Sequence, residues 1–302
     1  MKYRLLLYCL TISAFALAQT NRALIISIGT YPIISGWEKI HAGNDMKLVT
    51  ELLSNNQYQS HNIKVLSDAQ ATKKAVTAAF QQCWEQTAYG DFIYLHFSCH
   101  GQQMMDDNGD EEDGLDESLV LYDAGYWYIP GKYEGENHLR DDELGMWINK
   151  LRKKAGSKGQ VTVVLDACHS GTGNRDNGVN DYIRGASAIF APEGYIPKPG
   201  IHQELSLKLK PVKDLSPAFV FSACLANEIN YEYYSQTKKQ FYGMLTYAFY
   251  TLLHSSENFN SVARFMEALQ KEVNQLTGFR KSRKQTIYME CSDENIPLQI
   301  YR

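Results

Sequence analysis

The chain has 302 residues, 44% of them hydrophobic, which is enough for one large globular domain or two small ones. Its formal net charge of −4 at pH 7 gives no general attraction for nucleic acid, so we expect no nucleic-acid partner. The six cysteines are irregularly spaced without a C-x-x-C pair, which argues against a zinc site or a disulfide scaffold.

Residues 1–18 are typical of a secretory signal peptide. A positively charged start precedes the apolar segment Leu5–Leu17, which is too short to span a bilayer, and Ala16-Leu17-Ala18 fits the small-x-small cleavage pattern. We therefore expect an exported protein, secreted or periplasmic, whose mature chain is a monomer of one domain over residues 19–302 without a membrane span. The alternative is an uncleaved anchor or a buried N-terminal strand.

The remaining chain alternates between strand and helix patterns. Short apolar runs predict strands at Ala23–Ile28, Ile63–Leu66, Asp91–Phe97, Val161–Leu165 and Phe219–Ala223, and the run Val161–Leu165 is rich in β-branched residues. Apolar residues at helical spacing predict helices at Asn44–Leu53, Lys73–Trp84, Asp141–Lys154, Gly243–Leu253 and Ser261–Leu276. This order predicts an α/β fold in which helices flank both faces of a mostly parallel central sheet.

Three further segments are less regular. Leu119–Tyr122 and Tyr126–Ile129 predict a hairpin, and Leu298–Tyr301 predicts a strand that closes the sheet. Residues 172–217 mix Gly, Asn, Pro and basic residues without a clear period, which predicts a flexible loop.

Two predicted strands end in groups suited to acyl transfer. Cys168 follows Val161–Leu165, and His100 follows Asp91–Phe97 as a base that would form the thiolate and protonate the leaving amine. Gly101 lets its backbone N–H approach a developing oxyanion, with the N–H of Cys168 as a second donor. His169 is a competing base, and a buried, unreactive Cys168 remains the alternative.

Several motifs together resemble one peptidase family. They are ALIISIGTYP, GND, YLHFSCHGQQ, DDNGDEEDGLDES, LRDDEL, VVLDACHSGTG and FSAC, in that order over residues 22–302. They are similar to those of metacaspases, the caspase-like cysteine peptidases of family C14. The resemblance implies a caspase-hemoglobinase fold with a His100–Cys168 catalytic dyad.

The resemblance also implies a specificity site. Metacaspases cleave after Arg or Lys through an acidic S1 pocket, and the matching positions are Asp45, Ser98 and Asp166. Ser98 and Asp166 lie two residues before His100 and Cys168, a spacing that puts side chains on one face of a strand. Taken alone, Asp45 could cap a helix and Asp166 could bond the backbone of its turn.

Two positions depart from the family pattern. Ala42 stands where metacaspases often have Cys. Cys99 stands where metacaspases usually have Gly before the catalytic His. Because Cys99 is beside the dyad in sequence, we consider an inhibitory disulfide through Cys99 as a hypothesis.

Residues 106–117 predict a cation site. They hold eight carboxylates in twelve positions, and such oxygen ligands suit Ca²⁺. The loop is not an EF-hand, because Glu111 stands where the sharp turn needs Gly. The resemblance implies activating calcium bound at Asp116, Asp141, Asp142 and Asp176, with no organic cofactor. The alternative is a solvated acidic loop beside a capped helix.

The sequence thus predicts a calcium-activated cysteine endopeptidase that cleaves peptide or protein substrates after Arg or Lys. The alternatives are a catalytically silent caspase-like binding or scaffold protein and a gingipain- or clostripain-like, calcium-independent peptidase. Self-cleavage is a further hypothesis, because the predicted loop contains basic residues at Arg175, Arg184, Lys198, Lys208, Lys210 and Lys213.

Overall fold

The computed structural model describes residues 19–169, 182–198, 207–255, 259, 261–278, 284–293 and 296–299. The proposed signal peptide and Asp176 lie outside the described residues, as does part of the predicted loop 172–217.

A six-stranded sheet forms the centre of the molecule. Its strands are β1 (Asn21–Ser27), β2 (Ile63–Ser67), β3 (Phe92–Ser98), β7 (Gln160–Asp166), β8 (Ala218–Ser222) and β11 (Tyr288–Cys291). The spatial order is β11-β8-β7-β3-β1-β2, and every neighbouring pair is parallel except β8 with β11. β3 and β7 are buried along their whole length, as is typical of mostly apolar strands at the centre of a sheet covered on both faces.

Helices cover both faces of this sheet. They are α1 (Ala42–Asn55), α2 (Lys73–Gln86), α3 (Asp141–Ala155), α4 (Met244–His254) and α5 (Val262–Leu276). Alternating β1 side chains enter two separate cores: Leu24 and Ile26 pack in one core with α2 and α3, while Ala23 and Ile25 pack in the other with α1, α4 and α5. The predicted α/β architecture is confirmed. None of the helices within the described ranges is long and apolar enough to cross a membrane.

Two smaller sheets flank the carboxyl ends of the central strands. One joins β4 (Gly101–Met105), β5 (Leu115–Val120) and β6 (His138–Arg140) in antiparallel order, and the other is the pair β9 (Glu232–Ser235) and β10 (Gln240–Gly243).

The predicted hairpin of Leu119–Tyr122 with Tyr126–Ile129 is wrong. The strand around Leu119 begins at Leu115, and its partners are β4 and β6, which bury the strand completely. Ile129 forms only a local bridge with Tyr133 across a turn in which Gly131 takes a φ of 69°.

The predicted closing strand at Leu298–Tyr301 is also wrong within the described residues. Leu298 and Gln299 have no strand structure, and the sheet edge is Tyr288–Cys291, antiparallel to β8. All four residues of that strand are half-buried, so its sequence lacks the apolar run that marks the other strands.

Candidate active site

The two candidate catalytic residues emerge from neighbouring parallel strands. Ser98 pairs in register with Asp166 at the ends of β3 and β7, and His100 and Cys168 lie two residues beyond this pair. Side chains two residues apart point to one side of an extended chain, so the fold brings all four residues to one edge of the sheet. His100 and Cys168 are only 2% and 1% exposed, so in this conformation the site is covered.

The His100 imidazole is held with a defined tautomer. Its Nε2 lies 2.9 Å from Glu38 O, and because a carbonyl only accepts, Nε2 carries the hydrogen. Nδ1 has no hydrogen-bond partner among the described residues and keeps its lone pair. The ring stacks on Trp37 at 5.0 Å, and burial lowers the pKa of His100 to about 4, so the imidazole is a neutral base at pH 7.

The Cys168 thiol lies beside a second thiol. Cys168 Sγ donates to Glu228 O at 3.0 Å, and Cys224 Sγ lies 3.3 Å from Cys168 Sγ. The hydrogen bond with Cys168 and burial raise the pKa of the Cys224 thiol. Cys99, for which an inhibitory disulfide was hypothesised, instead lies fully buried in the apolar core of α2 and α3.

His169 lies beside Gly101 and is bonded to β5. Its Nδ1 lies 3.2 Å from Ser118 O on β5, and burial lowers its pKa to about 4. His169 therefore orders the strand beside it, and His100 is left as the candidate base.

Both predicted oxyanion donors bind one carbonyl oxygen. The N–H groups of Gly101 and Cys168 donate to Arg184 O at 3.3 Å and 2.8 Å. Gly101 is required by close approach, because a Cβ there would lie 2.6 Å from Cys168 O. The two N–H groups thus converge on one point, as an oxyanion site requires.

The Arg184 side chain fills the space among the three predicted S1 residues. Its Nη1 lies 2.7 Å from Asp45 Oδ2, 2.7 Å from Ser98 Oγ and 3.6 Å from Asp166 Oδ1. Ser98 Oγ also donates to Asp45 Oδ2 at 2.7 Å. The structure therefore brings Asp45, Ser98 and Asp166 together as a buried cation site, with an arginine in it.

Glu232, which the sequence analysis did not identify, closes the other side of the guanidinium. Its Oε1 accepts from Arg184 Nη2 at 2.8 Å and from Nε at 3.2 Å. Burial by itself would raise the pKa of Glu232, but the Arg184 charge and two hydrogen bonds from His41 lower it to about 2. Burial by itself would lower the pKa of Arg184, but the charges of Asp45, Asp166 and Glu232 raise it, so the guanidinium is charged.

The start of α4 fixes the carboxylates. Asp45 Oδ1 accepts from the N–H of Gly243 at 2.9 Å, and Asp166 Oδ2 accepts from the N–H of Thr246 at 2.8 Å. Unpaired N–H groups and the helix dipole favour negative charge there. Asp45 lies inside α1, whose N-cap is His41, so the helix-cap alternative for Asp45 is wrong.

The segment that carries Arg184 runs as an added strand. The N–H of Arg184 donates to Asn230 O at 3.0 Å, and the N–H of Glu232 donates to Tyr182 O at 2.9 Å. Ile183 lies opposite Tyr231 in an antiparallel bridge. Tyr182–Arg184 is therefore an extended segment antiparallel to residues 230–232. At Arg184 it places a basic side chain in the cation site and a carbonyl oxygen between two N–H donors.

The acidic loop gathers other residues than those predicted. Oxygen atoms of Asp106, Asp107 and Asp116 lie within 4.8 Å of one another, and only Asp116 belongs to the predicted calcium ligands. Arg140 forms ion pairs with Asp107 and Asp116. The other two predicted ligands with described positions, Asp141 and Asp142, begin α3 beside this cluster, where Asp142 accepts from Asn108 at 2.5 Å.

Buried oxygens in this region lack partners. Asp116 Oδ1 and Glu117 Oε1 are buried without a hydrogen bond within the described part of the chain. Burial raises the pKa of Asp116 to about 6 and that of Glu117 well above its usual value, and burial with the nearby Asp116 charge raises that of Asp141 to about 8. It is costly to ionise these buried carboxylates together, and a bound hard cation such as Ca²⁺ would offset that cost.

Three residues of the site, Glu232, Glu38 and Gly243, were not predicted from the sequence, because they lie far along the chain from Cys168. Glu232 stands alone among tyrosines in β9, and a single carboxylate in an aromatic strand is a usable signal. Glu38 acts through a backbone oxygen and Gly243 through the space it leaves, so their side-chain chemistry gives no signal. The sequence around Arg184 marks it only as a basic loop residue.

Comparison with known proteins assigns most of the chain to one family. The caspase domain model of the C14 peptidases matches residues 20–296. A curated relative, metacaspase-1B of Aspergillus terreus, is 27% identical over 174 residues, which are 55% of this chain and 40% of that protein. This chain therefore spans less than half the length of the curated relatives it matches.

Two solved structures share the fold. A protein of Geobacter sulfurreducens has a TM-score of 0.61 at 19% identity, with 90% of this chain and 93% of that chain covered. Caspase-1 of Spodoptera frugiperda has a TM-score of 0.51 at 12% identity, with 90% and 86% covered. The predicted caspase-like fold is confirmed.

Proposed function

This chain belongs to the caspase domain family of cysteine peptidases, and from that premise we propose that it is an endopeptidase that cleaves protein substrates after arginine or lysine through a Cys168–His100 dyad. Asp45, Ser98 and Asp166, with Glu232, would bind the P1 side chain. Three carboxylates around one buried cation favour a basic P1 residue and exclude an acidic one.

The observation that carries this proposal is the position of Arg184. Its guanidinium lies among the acidic residues and its carbonyl oxygen accepts from the N–H groups of Gly101 and Cys168. A P1 arginine makes the same two demands on a peptidase, namely a charged partner for its side chain and stabilisation of its carbonyl oxygen in the transition state.

The proposed reaction has the following steps. His100 Nδ1 takes the thiol proton, and the Cys168 sulfur attacks the P1 carbonyl carbon. The resulting oxyanion is held by the N–H groups of Gly101 and Cys168. His100 then protonates the leaving amine as the C–N bond breaks, and water hydrolyses the thioester, which restores the thiol. In this conformation the thiol donates to Glu228 O, so it has to leave that bond before attack.

We also propose that Arg184–Gly185 is an internal cleavage site. The Tyr182–Arg184 segment occupies the cleft that an external substrate would need, because Arg184 O already accepts from the N–H groups of Gly101 and Cys168. Cleavage after Arg184 would release that segment and open the cleft.

Both parts can be tested on the full-length protein. Incubation with CaCl₂ should produce a fragment that begins Gly185-Ala186-Ser187, detected by N-terminal sequencing, and both Cys168→Ala and Arg184→Ala should abolish it. Lys198→Ala is a matched control that should leave it unchanged. A single intact band, or new termini only elsewhere, contradicts the internal site.

A catalytically silent scaffold is the competing function. A chloromethylketone with arginine at P1 should alkylate Cys168 and stop hydrolysis of an arginine peptide amide. Failure of both alkylation and hydrolysis in the incubated protein contradicts the peptidase proposal. Faster cleavage of an aspartate-P1 peptide contradicts the basic specificity.

We propose that calcium activates the enzyme at the acidic loop. Asp116 with Asp106 and Asp107 would hold the ion, and Asp141, Asp142 and Asp176 remain the ligands that the metacaspase resemblance implies. The unpartnered buried oxygens of Asp116 and Glu117 support this assignment. Bound calcium would neutralise the loop, which connects β4, next to the candidate oxyanion donor Gly101, with β5.

Calcium binding has a direct readout. Added CaCl₂ should raise the melting temperature of the native protein, and Asp116→Asn should remove most of that rise. Glu85→Gln, on the exposed face of α2, should keep it. Activity and melting temperature that do not respond to a chelator contradict the calcium proposal and favour the gingipain- or clostripain-like, calcium-independent alternative.

Export through residues 1–18 and a monomeric mature protein complete the proposal. Cleavage after Ala18, read from the N-terminus of protein secreted by an expressing cell, would support export. A dimer mass in size-exclusion chromatography with light scattering contradicts the monomer.

A further inference from the structure

We propose that the peptidase has a second specificity subsite, formed by His41 and Phe241, that takes an aromatic side chain two residues before the P1 arginine. The inference rests on the proposed function, because it treats Tyr182–Arg184 as bound in the manner of a substrate. It adds an aromatic P3 residue to the substrate class.

The backbone of the segment defines which residue is P3. Arg184 is P1, since its carbonyl oxygen accepts from the N–H groups of Gly101 and Cys168. Tyr182 lies two residues earlier, and its carbonyl accepts from the N–H of Glu232 at 2.9 Å. Main-chain bonds of this kind are available to any extended peptide, so an external substrate can adopt the same register.

The Tyr182 ring lies against two aromatic rings. Its centroid is 4.5 Å from that of His41 with an interplanar angle of 88°, and 4.9 Å from that of Phe241 at 68°. His41 and Phe241 are themselves stacked at 5.0 Å and 24°. Edge-to-face contacts at these distances are the preferred arrangement of aromatic pairs.

Hydrogen bonds hold the receiving rings in place without Tyr182. His41 Nδ1 lies 2.6 Å from Glu232 Oε2, and the N–H of His41 donates to Glu232 Oε1 at 2.7 Å. The Phe241 backbone is fixed by Asn44 Nδ2, which donates to Phe241 O at 2.9 Å. Glu232 thus supports both the P1 site and the P3 site.

The subsite is open on one side. Tyr182, His41 and Phe241 are all half-buried, whereas Arg184 is fully buried. A tyrosine, phenylalanine or tryptophan could therefore place its ring on the two receiving rings, with a tyrosine hydroxyl still in water. An alanine at P3 would keep the main-chain bonds and lose only the ring contacts.

The test compares two peptide amides, acetyl-Tyr-Ile-Arg-aminomethylcoumarin and acetyl-Ala-Ile-Arg-aminomethylcoumarin, with protein incubated beforehand in CaCl₂. The tyrosine peptide should have a kcat/KM about tenfold higher, because its ring gains edge-to-face contacts with His41 and Phe241 and buries apolar area against them. Phe241→Leu, which keeps an apolar side chain, and Phe241→Ala should each bring the ratio towards one. Tyr89→Ala removes an exposed ring from the far end of β3 and should leave the ratio unchanged.

The outcomes separate the two proposals. A ratio near one in the wild type, with both peptides hydrolysed, overturns the P3 subsite and leaves the peptidase function standing. A high ratio that survives both Phe241 variants also overturns this subsite. Hydrolysis of neither peptide overturns the proposed function, and the subsite with it.

Discussion

Replacing Glu232 with glutamine should weaken the preference for arginine over lysine at P1. Glu232 accepts from Nε and Nη2 of the internal arginine, while Asp45 and Ser98 meet Nη1 on the opposite side. A guanidinium has donors on both sides, whereas an ammonium is a single point charge on a flexible stem. The structure therefore predicts an enzyme that cleaves after arginine faster than after lysine.

The size of the effect follows from the two bonds at Glu232. Glutamine keeps an acceptor oxygen and the guanidinium stays charged, so only the negative partner is lost. We take this loss as roughly 1–1.5 kcal/mol, the difference between hydrogen bonds with and without a charged group. A loss of about 1.4 kcal/mol in these directional bonds lowers kcat/KM for arginine peptides by about tenfold relative to lysine peptides. The loss of the Glu232 charge also weakens the through-space attraction for both arginine and lysine. The ratio of arginine to lysine kcat/KM therefore isolates the effect on the hydrogen bonds from Nε and Nη2.

The assay measures kcat/KM for peptide amides that differ only in arginine or lysine at P1, with wild type, Glu232→Gln and Glu267→Gln. The last variant makes the same chemical change on the exposed face of α5 and should keep the wild-type ratio. We expect the arginine-to-lysine ratio to fall by about tenfold in Glu232→Gln alone. An unchanged ratio would refute the assignment of Glu232 to the P1 site, and a wild type that prefers lysine would refute the reading of the guanidinium geometry.

Three further predictions concern the same site. Gly243→Ala should lower kcat/KM by about a hundredfold, because the added Cβ would lie 2.1 Å from Asp166 Oδ2 and displace that carboxylate. Gly43→Ala is the control and should have little effect, because a Cβ there meets nothing within 4 Å. A disulfide oxidant should join the Cys168 and Cys224 thiols in a disulfide, while the oxidant itself is released as two reduced thiols. Activity should therefore depend on reductant in Cys99→Ser but not in Cys224→Ser. The reverse result would support the hypothesis of an inhibitory disulfide through Cys99. Because burial lowers the pKa of His100 to about 4, kcat at saturating substrate should persist as pH falls and be lost only towards about pH 4, and a half-loss near the ordinary histidine value of about 6.5 would contradict a buried base.

The sequence was sufficient for the features that depend on local pattern. Short apolar runs predicted β1, β2, β3, β7 and β8, because strands of a sheet flanked by helices are mostly apolar. Residues two apart on one strand share a side, and for this reason Ser98 with His100, and Asp166 with Cys168, could be assigned to one edge. Strand β11 was missed since it is a half-buried edge without such a run.

Only the tertiary structure decided what occupies that edge. Glu232 is separated from Asp166 by more than sixty positions and from Asp45 by far more, and no periodicity links them. The three carboxylates meet because β9 and the start of α4 pack over the ends of the central strands, and burial then makes a compensating cation necessary. The sequence determined that an acidic site stands beside Cys168. The fold determined that the chain's own Arg184 fills it, because only a buried, extended segment can supply a guanidinium to the acids and a carbonyl to the two N–H donors at once.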